Sequence, residues 1–359
     1  MISDLKPVRS SRPVAIWLLV GVGMIIIQVL LGGITRLTGS GLSITEWKPI
    51  MGALPPLNEH DWNIAFEKYK QIAQYKYLNF HYTLEDFKFI FFWEWFHRLW
   101  ARFLGVVFLI PFIIFLVQRR FKQEMVRPLI ILFLLGALQG LVGWIMVQSG
   151  LEDSELVYVS HYKLAIHFIL ALGLLVYTLW FALELLIPAR QLTYNHSLKK
   201  FMGWLTALLV VQLIYGAFMA GLKAATAAPT WPSMNGHWLP GDTSSFGDRH
   251  FSGISQLTDH PIMIHFLHRN IAYLLTILVL AWTWQAFKVS GSSIFRKTRL
   301  WPLVLVLVQV ALGVFTVLHS INTRSFLWLG VAHQFVAMLL LMSFVWFLYT
   351  IRSGKSIHH

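Results

Sequence analysis

The chain has 359 residues, 57% hydrophobic and 13% charged, with 29 Lys and Arg against 16 Asp and Glu, a net charge of +13 and no cysteine. Soluble domains carry about 25% charged residues, so so apolar a chain needs lipid around most of its surface. The absence of cysteine excludes disulfides, zinc–thiolate centres, iron–sulfur clusters, covalent c-type haem and thiol catalysis.

About a dozen residues precede the first apolar run, at 14–33. That run passes into Gly-rich polar sequence without a small-residue cleavage site, and the lead is too short for an Arg/Ser-rich organelle presequence. The expected location is therefore a bacterial cell inner (plasma) membrane and not a mitochondrial one. A long polar segment, 34–88, comes next. It runs from Gly32-Gly33 to Gly41 through Trp47-Lys48-Pro49 and Pro55-Pro56 into an amphipathic stretch, Glu59 to Tyr75. This stretch reads as a helix on the membrane surface, either capping a pocket or acting as a solvated connector. Further apolar runs lie at 89–117, 128–147, 162–187, 200–222, 261–287, 300–319 and 327–351, with a second polar segment at 223–260. Each run is long enough to cross a hydrocarbon core of roughly 30 Å. The fold class is an all-α integral membrane protein with eight transmembrane helices.

Basic residues fall on alternate connections: Lys6, Arg9 and Arg12; Arg119, Arg120, Lys122 and Arg127; Arg190, Lys199 and Lys200; Lys288, Arg296, Lys297 and Arg299; Arg352 and Lys355. Only Asp4, Glu124 and Glu184 oppose them there, so this side holds the whole net charge of +13. By the positive-inside rule both termini are cytoplasmic. The charge is thus a topology signal, and no nucleic-acid partner is needed to explain it.

The odd spans share a Gln-x-x-x-Gly element: Gln28/Gly32, Gln139/Gly143, Gln212/Gly216 and Gln309/Gly313. Spans two and six share an aromatic-x-His-Arg element, Trp95-Phe96-His97-Arg98 and Phe266-Leu267-His268-Arg269, and spans four and eight carry His167 and His333. The spacing predicts two pseudo-symmetric four-helix bundles entering the membrane in the same sense, residues 1–190 with outer loop 34–88 and residues 195–359 with outer loop 223–260. His97, His167, His268 and His333 all fall at one depth, roughly 8–12 Å inside the outer ends of their helices. An ionisable side chain in lipid is costly and usually functional. Two imidazoles per half, without cysteine or clustered carboxylates, suit six-coordinate haem iron better than a naked metal ion. The glycines would let the flat group come close.

One difference separates the halves. Glu94 stands three residues before His97, where His265 stands before His268. A buried carboxylate beside a metal site is either a proton acceptor or the ion-pair partner of Arg98 or Arg102, and the former places the reactive site in the N-terminal half. Arg98 and Arg269 reach either haem propionates or neighbouring carboxylates. His161, His265 and His319, near outer helix ends, are second-choice ligands, and the loop and tail histidines, among them His358-His359, have no strong case.

The segments GGITRLTGSGLS (32–43), PPLNEHDWNIAFEKYK (55–70), LEDFKFIFFWEWFHR (84–98), QGLVGWIMVQSGL (139–151), SHYKLAIHF (160–168), GAFMAGLKAATAAPTWPSMNGHWLP (216–240), FLHRNIAY (266–273) and AHQFVA (332–337) resemble the haem A synthase family. The likeness covers most of the chain and is closest to the cysteine-free branch of alphaproteobacterial and mitochondrial enzymes. It implies oxidation of the C8 methyl of haem O, through hydroxymethyl, to the formyl of haem A for cytochrome c oxidase. It further implies His97 and His167 at the substrate haem, His268 and His333 on a haem b cofactor, and Glu94 in catalysis. Implied partners are haem O, the bilayer, the haem O synthase and an external electron acceptor, with homo-oligomerisation left open. This sequence lacks the paired cysteines of the other branch, so no thiol relay serves it. Competing functions are a quinol-linked bis-His diheme electron carrier, which needs haems at two depths, and a haem transporter or chaperone, which needs a polar passage.

Overall fold

The structure, a computed structural model, describes residues 12–46, 51–151 and 156–353. It consists of α1 (Arg12–Leu37), α2 (Glu59–Tyr69), α3 (Leu84–Val117), α4 (Gln123–Leu151), α5 (His161–Leu186), α6 (His196–Gly221), α7 (Ile254–Thr258), α8 (Pro261–Phe287), α9 (Ser293–Thr298), α10 (Trp301–Leu318) and α11 (Thr323–Thr350). Among the described residues eight segments are long and apolar enough to cross a membrane: α1, α3, α4, α5, α6, α8, α9 with α10, and α11. Each coincides with a predicted span. Two short pairings accompany them, β1 (Thr193–Tyr194) parallel to β4 (Ile351–Arg352) and β2 (Ser245–Phe246) antiparallel to β3 (Arg249–His250). Lys6, Arg9, Lys355, Asp4, Trp47-Lys48-Pro49 and His358-His359 lie outside the described residues.

The helix ends depart from the predicted ones for local reasons. α3 begins at Leu84 rather than 89 because Thr83 and Asp86 form a capping box, each side chain taking the other's backbone N–H. α4 begins at Gln123 and runs through Pro128, which leaves the Glu124 carbonyl without its helical N–H partner. The seventh span is broken between α9 and α10, just ahead of Pro302.

α1 packs against α3, α5 and α11; α6 packs against α8, α11 and α5; α4 lies on α5, and α10 on α11 and α8. The largest apolar core gathers Val14 to Val29 of α1, Leu172 to Leu183 of α5, Leu198 to Leu213 of α6, Leu275 to Ala286 of α8 and Ala337 to Tyr349 of α11. It fills the half of the bundle beside the basic connections 118–122, 187–195 and 288–300. The four histidines lie in the other half. The bundle is thus a solid apolar plug at its basic end and carries its polar groups toward the long loops.

In the first long loop, α2 ends at Tyr69 rather than Tyr75, because the chain turns at Lys70 and passes into a single π-helical turn, Tyr75–Asn79. Its apolar face does not float in solvent. Phe66 and Tyr69 join Phe87, Ile90 and Phe91 in a separate cluster on the N-terminal end of α3, with Phe66 stacked on Phe87 at 5.1 Å between ring centroids. Burial of such rings stabilises by roughly 1.5–3 kcal/mol each. The Tyr69 hydroxyl donates to Gln74 Oε1 at 3.0 Å and accepts from Asn79 Nδ2 at 2.7 Å. Burial pushes this phenol above its ordinary range, so it stays protonated.

Candidate functional site

The four histidines meet the four Gln-x-x-x-Gly elements one to one. His97 of α3 abuts Gly32 of α1, His167 of α5 abuts Gly143 of α4, His268 of α8 abuts Gly216 of α6, and His333 of α11 abuts Gly313 of α10. These glycines fall within the last nine residues of their helices, at the ends that lead into the long loops or the shorter connections on the same side. The room they leave is taken by an imidazole, whereas the sequence suggested that it serves a flat ligand.

The glutamines reach the same histidines. Gln28 Nε2 donates to the His97 carbonyl at 3.3 Å, and Gln139 Nε2 donates to the His167 carbonyl at 2.8 Å while lying 3.0 Å from His167 Nδ1. Gln212 Nε2 lies 3.4 Å from His268 Nε2, and Gln309 Nε2 lies 3.2 Å from His333 Nε2. His333 Nδ1 donates to the Gln309 carbonyl at 3.1 Å. The amide oxygens of all four glutamines are buried without a partner. Sequence reasoning gave the glycines a task and the glutamines none, although the glutamines recur in the same register.

The rings of His268 and His333 come together, with centroids 6.4 Å apart and planes at 72°. Two imidazoles bound end-on to one metal, each nitrogen about 2 Å from it, have centroids roughly 6.3 Å apart. The ring separation thus matches that of two imidazoles on one ion, while both nitrogens of His333 are here bonded to Gln309. No group of three or more His, Asp and Glu converges among the described residues. Two protein donors leave the remaining coordination to the bound group itself, which a porphyrin supplies. His97 and His167 lie within electrostatic range of each other.

Glu94 is buried, 3% exposed. Its Oε1 accepts from Arg98 at 2.5 Å, one turn along α3, and its Oε2 accepts from Ser43 Oγ at 2.7 Å and Ile44 N at 2.9 Å. Arg98 also donates to the carbonyls of Ile44 at 3.3 Å and Glu46 at 3.4 Å. The carboxylate and guanidinium together hold the start of the first long loop against the N-terminal half of α3. Of the two guanidinium partners the sequence offered for Glu94, Arg98 takes this contact. Ser43 was missed as its partner, although it lies in the GSGLS segment.

Arg269 holds the second long loop, donating to the carbonyls of Pro232 at 3.0 Å, Thr230 at 2.9 Å and Ser233 at 3.4 Å, and lying 3.3 Å from His265 Nε2. These contacts are backbone carbonyls and an imidazole, where the sequence suggested carboxylates or propionates. His265 is buried with Nδ1 unpartnered. His161 Nε2 donates to the Thr258 carbonyl at 3.0 Å and lies 3.2 Å from Asp259 Oδ1, so it joins α5 to the second loop. The exposed His319 bonds the Phe315 carbonyl of its own helix.

The model of a protein family described as "Cytochrome oxidase assembly protein" (COX15-CtaA) matches residues 15–345. A protein of Rhodospirillum centenum named "Heme A synthase" is 42% identical over 98% of this chain and 92% of its own length. Proteins of the same name from Nitrosospira multiformis and Flavobacterium psychrophilum are 41% and 39% identical, over 94% and 93% of this chain and 92% and 96% of their own. A match of this reach and identity, over a bundle of eight apolar helices, leaves one assignment. The chain belongs to the COX15-CtaA family of cytochrome oxidase assembly proteins.

Proposed function

We propose that this chain is a membrane oxidoreductase that oxidises the C8 methyl of haem O, through hydroxymethyl, to the formyl of haem A for cytochrome c oxidase. The observation that carries the reading is the set of four histidines, each seated against the glycine of a Gln-x-x-x-Gly element, with the rings of His268 and His333 brought together. The relatives named for haem A synthesis support the substrate. We read residues 1–190 and 195–359 as two equivalent bundles: α1 packs on α3 and α5 as α6 packs on α8 and α11. Both termini lie in the cytoplasm of a bacterial inner membrane, and the histidine level lies toward the outer face. The polar chemistry is then separated from the cytoplasm by the apolar plug, which favours neither a transporter nor a carrier with haems at two depths.

His97 and His167 flank the substrate haem, and His268 and His333 hold a haem b. A bound haem b supplies a one-electron carrier in the same chain. Glu94, three residues before His97, is the proton acceptor of the substrate site. Arg98 balances its charge and Ser43 and Ile44 fix its orientation, while Oε1 retains acceptor capacity beyond the Arg98 bond. The two arginines and α2 hold the long loops over the outer mouths, which limits water at the sites. Haem O synthase as donor, an external electron acceptor and a homo-oligomer complete the proposal.

Extracted-haem chromatography of the purified protein tests it. Haem A or its hydroxylated precursor beside haem b is expected. Haem b alone, at two per chain, would identify an electron carrier and sink the proposal.

A further inference from the structure

We infer that the glycines of the four Gln-x-x-x-Gly elements are imidazole seats, positioning residues that set where each histidine of the two pairs stands. This rests on the reading of those histidines as haem ligands and adds to it what places them. A Cβ built on Gly143 would lie 2.8 Å from His167 Cε1, on Gly313 3.0 Å from His333 Cε1, on Gly216 3.3 Å from His268 Cε1, and on Gly32 3.3 Å from His97 Nε2. Distances this short are rare for real Cβ atoms, so a methyl group at any of the four forces the ring or the helix to shift. Other glycines of the same helices do not face these rings: Gly140 of α4 and Gly203 of α6 meet nothing within 4 Å, and the crowded Gly33, Gly150 and Gly221 meet Gln334, Leu42 and the backbone and Cβ of His161. Contact with an imidazole ring therefore belongs to the glycine that closes the element.

The spacing of the element has a physical reason. A helical side chain leans back over the turn that precedes it, so the residue at i+4 covers the carbonyl of residue i. Glycine at i+4 uncovers the glutamine carbonyl to the neighbouring helix. At Gly313 this is used: His333 Nδ1 donates to the Gln309 carbonyl at 3.1 Å. A carbonyl can only accept, so Nδ1 carries the proton and the lone pair stands on Nε2, where the Gln309 amide holds the place a metal would take. The glutamine side chain then bounds the same seat, its amide nitrogen touching the histidine in every one of the four elements.

The full-length protein, purified in detergent with its haem, provides the test through the absorption and electron paramagnetic resonance spectra of haem b. Wild type and Gly203→Ala are expected to show the same low-spin, bis-imidazole signal. Gly216→Ala and Gly313→Ala are expected to lose haem b or convert it in part to high spin. Wild-type haem content and spectra in both variants overturn the inference. Wild-type protein without low-spin haem b overturns the ligand reading beneath it. Where Gly216→Ala does not accumulate, His268→Gly removes the clash and makes the seat accessible to free imidazole. Added imidazole should restore the low-spin signal in His268→Gly, and His268→Gly/Gly216→Ala should require roughly tenfold more of it. Equal requirements in the two backgrounds overturn the seat.

Discussion

In the first four spans the glutamine amides donate to the main-chain carbonyls of His97 and His167, with Gln139 also reaching a ring nitrogen of His167, whereas in the last four they touch the ring nitrogens of His268 and His333 alone. The residue one turn ahead differs as well. Glu94 gives Arg98 a carboxylate and also receives Ser43 and Ile44 from the first long loop, while His265 gives Arg269 an imidazole and takes no part in holding the second loop, whose carbonyls Arg269 binds. The same frame thus carries a pair whose surroundings include a fixed buried charge and a pair whose rings stand 6.4 Å apart with no carboxylate bonded beside them. The lesson is that the helix scaffold fixes where the rings stand, and the position three residues before the histidine decides what chemistry accompanies them.

The comparison breaks most completely if the wrong pair is disabled. His268→Ala is expected to abolish the haem b spectrum and haem A formation together, since one imidazole cannot provide both axial ligands. Survival of the haem b signal in purified His268→Ala reverses the assignment of the two pairs. Glu94→Ala comes next. It leaves the Arg98 guanidinium, the Ser43 hydroxyl and the Ile44 N–H without their acceptor, and removing one partner of a buried ion pair costs about 3–5 kcal/mol. The Arg98 side chain is 21% exposed, so the cost should lie near the lower end. Thermal unfolding should show the loss, and the haem b spectrum should persist while haem A output stops. Glu94→Gln keeps an acceptor oxygen and should recover much of the stability without recovering the conversion. Full haem A output from Glu94→Gln removes the carboxylate from the chemistry.

The residues that were legible in the sequence are those whose cost in lipid makes them stand out. Four histidines in apolar runs, with glycines in register on the neighbouring spans, pointed to the contact of each imidazole with its glycine. Eight spans followed from hydropathy alone, because each exceeds the length that a bilayer requires. What the sequence did not disclose depends on contacts between segments far apart in the chain. Ser43 reaches Glu94 across 51 residues, and the Arg269 contacts on Thr230, Pro232 and Ser233 are with backbone atoms that carry no sequence signature. The fate of Glu59 to Tyr75 was likewise open, since an amphipathic helix is equally at ease on lipid or on protein until Phe87 and Phe91 are known to receive it.

The two arginines sharpen the comparison at a smaller scale. Arg269→Gln removes the charged donor from three carbonyls, and such bonds contribute roughly 1.5–3 kcal/mol when they involve a charged group. The second long loop should become protease-sensitive near Pro232, while the first remains protected. Arg98→Gln should do the opposite and additionally strand the Glu94 carboxylate, so its unfolding temperature should fall further. Equal protection of both loops in both variants would remove the latch role from the arginines.

The smallest effect lies where the first and last spans meet. Gln334, next to His333 on α11, donates through Nε2 to the Val29 carbonyl of α1 at 3.0 Å, and its amide fills the space above Gly33, so that a Cβ there would overlap it. Gly33 in turn follows Gly32, the seat of His97, so this contact stands between the two histidine pairs. Gln334→Ala should cost about 1 kcal/mol, the usual worth of one such bond. Gly33→Ala should cost a similar amount, because the amide can swing aside only by giving up Val29. Once the amide is gone the added methyl group meets no obstacle, so the double variant should be no less stable than Gln334→Ala alone. Such non-additivity is what a shared contact produces, whereas independent sites add. A double-mutant cycle by thermal unfolding that sums to the two single costs would show that Gly33 and Gln334 do not meet, and would leave the two pairs joined only by the packing of α1 against α11.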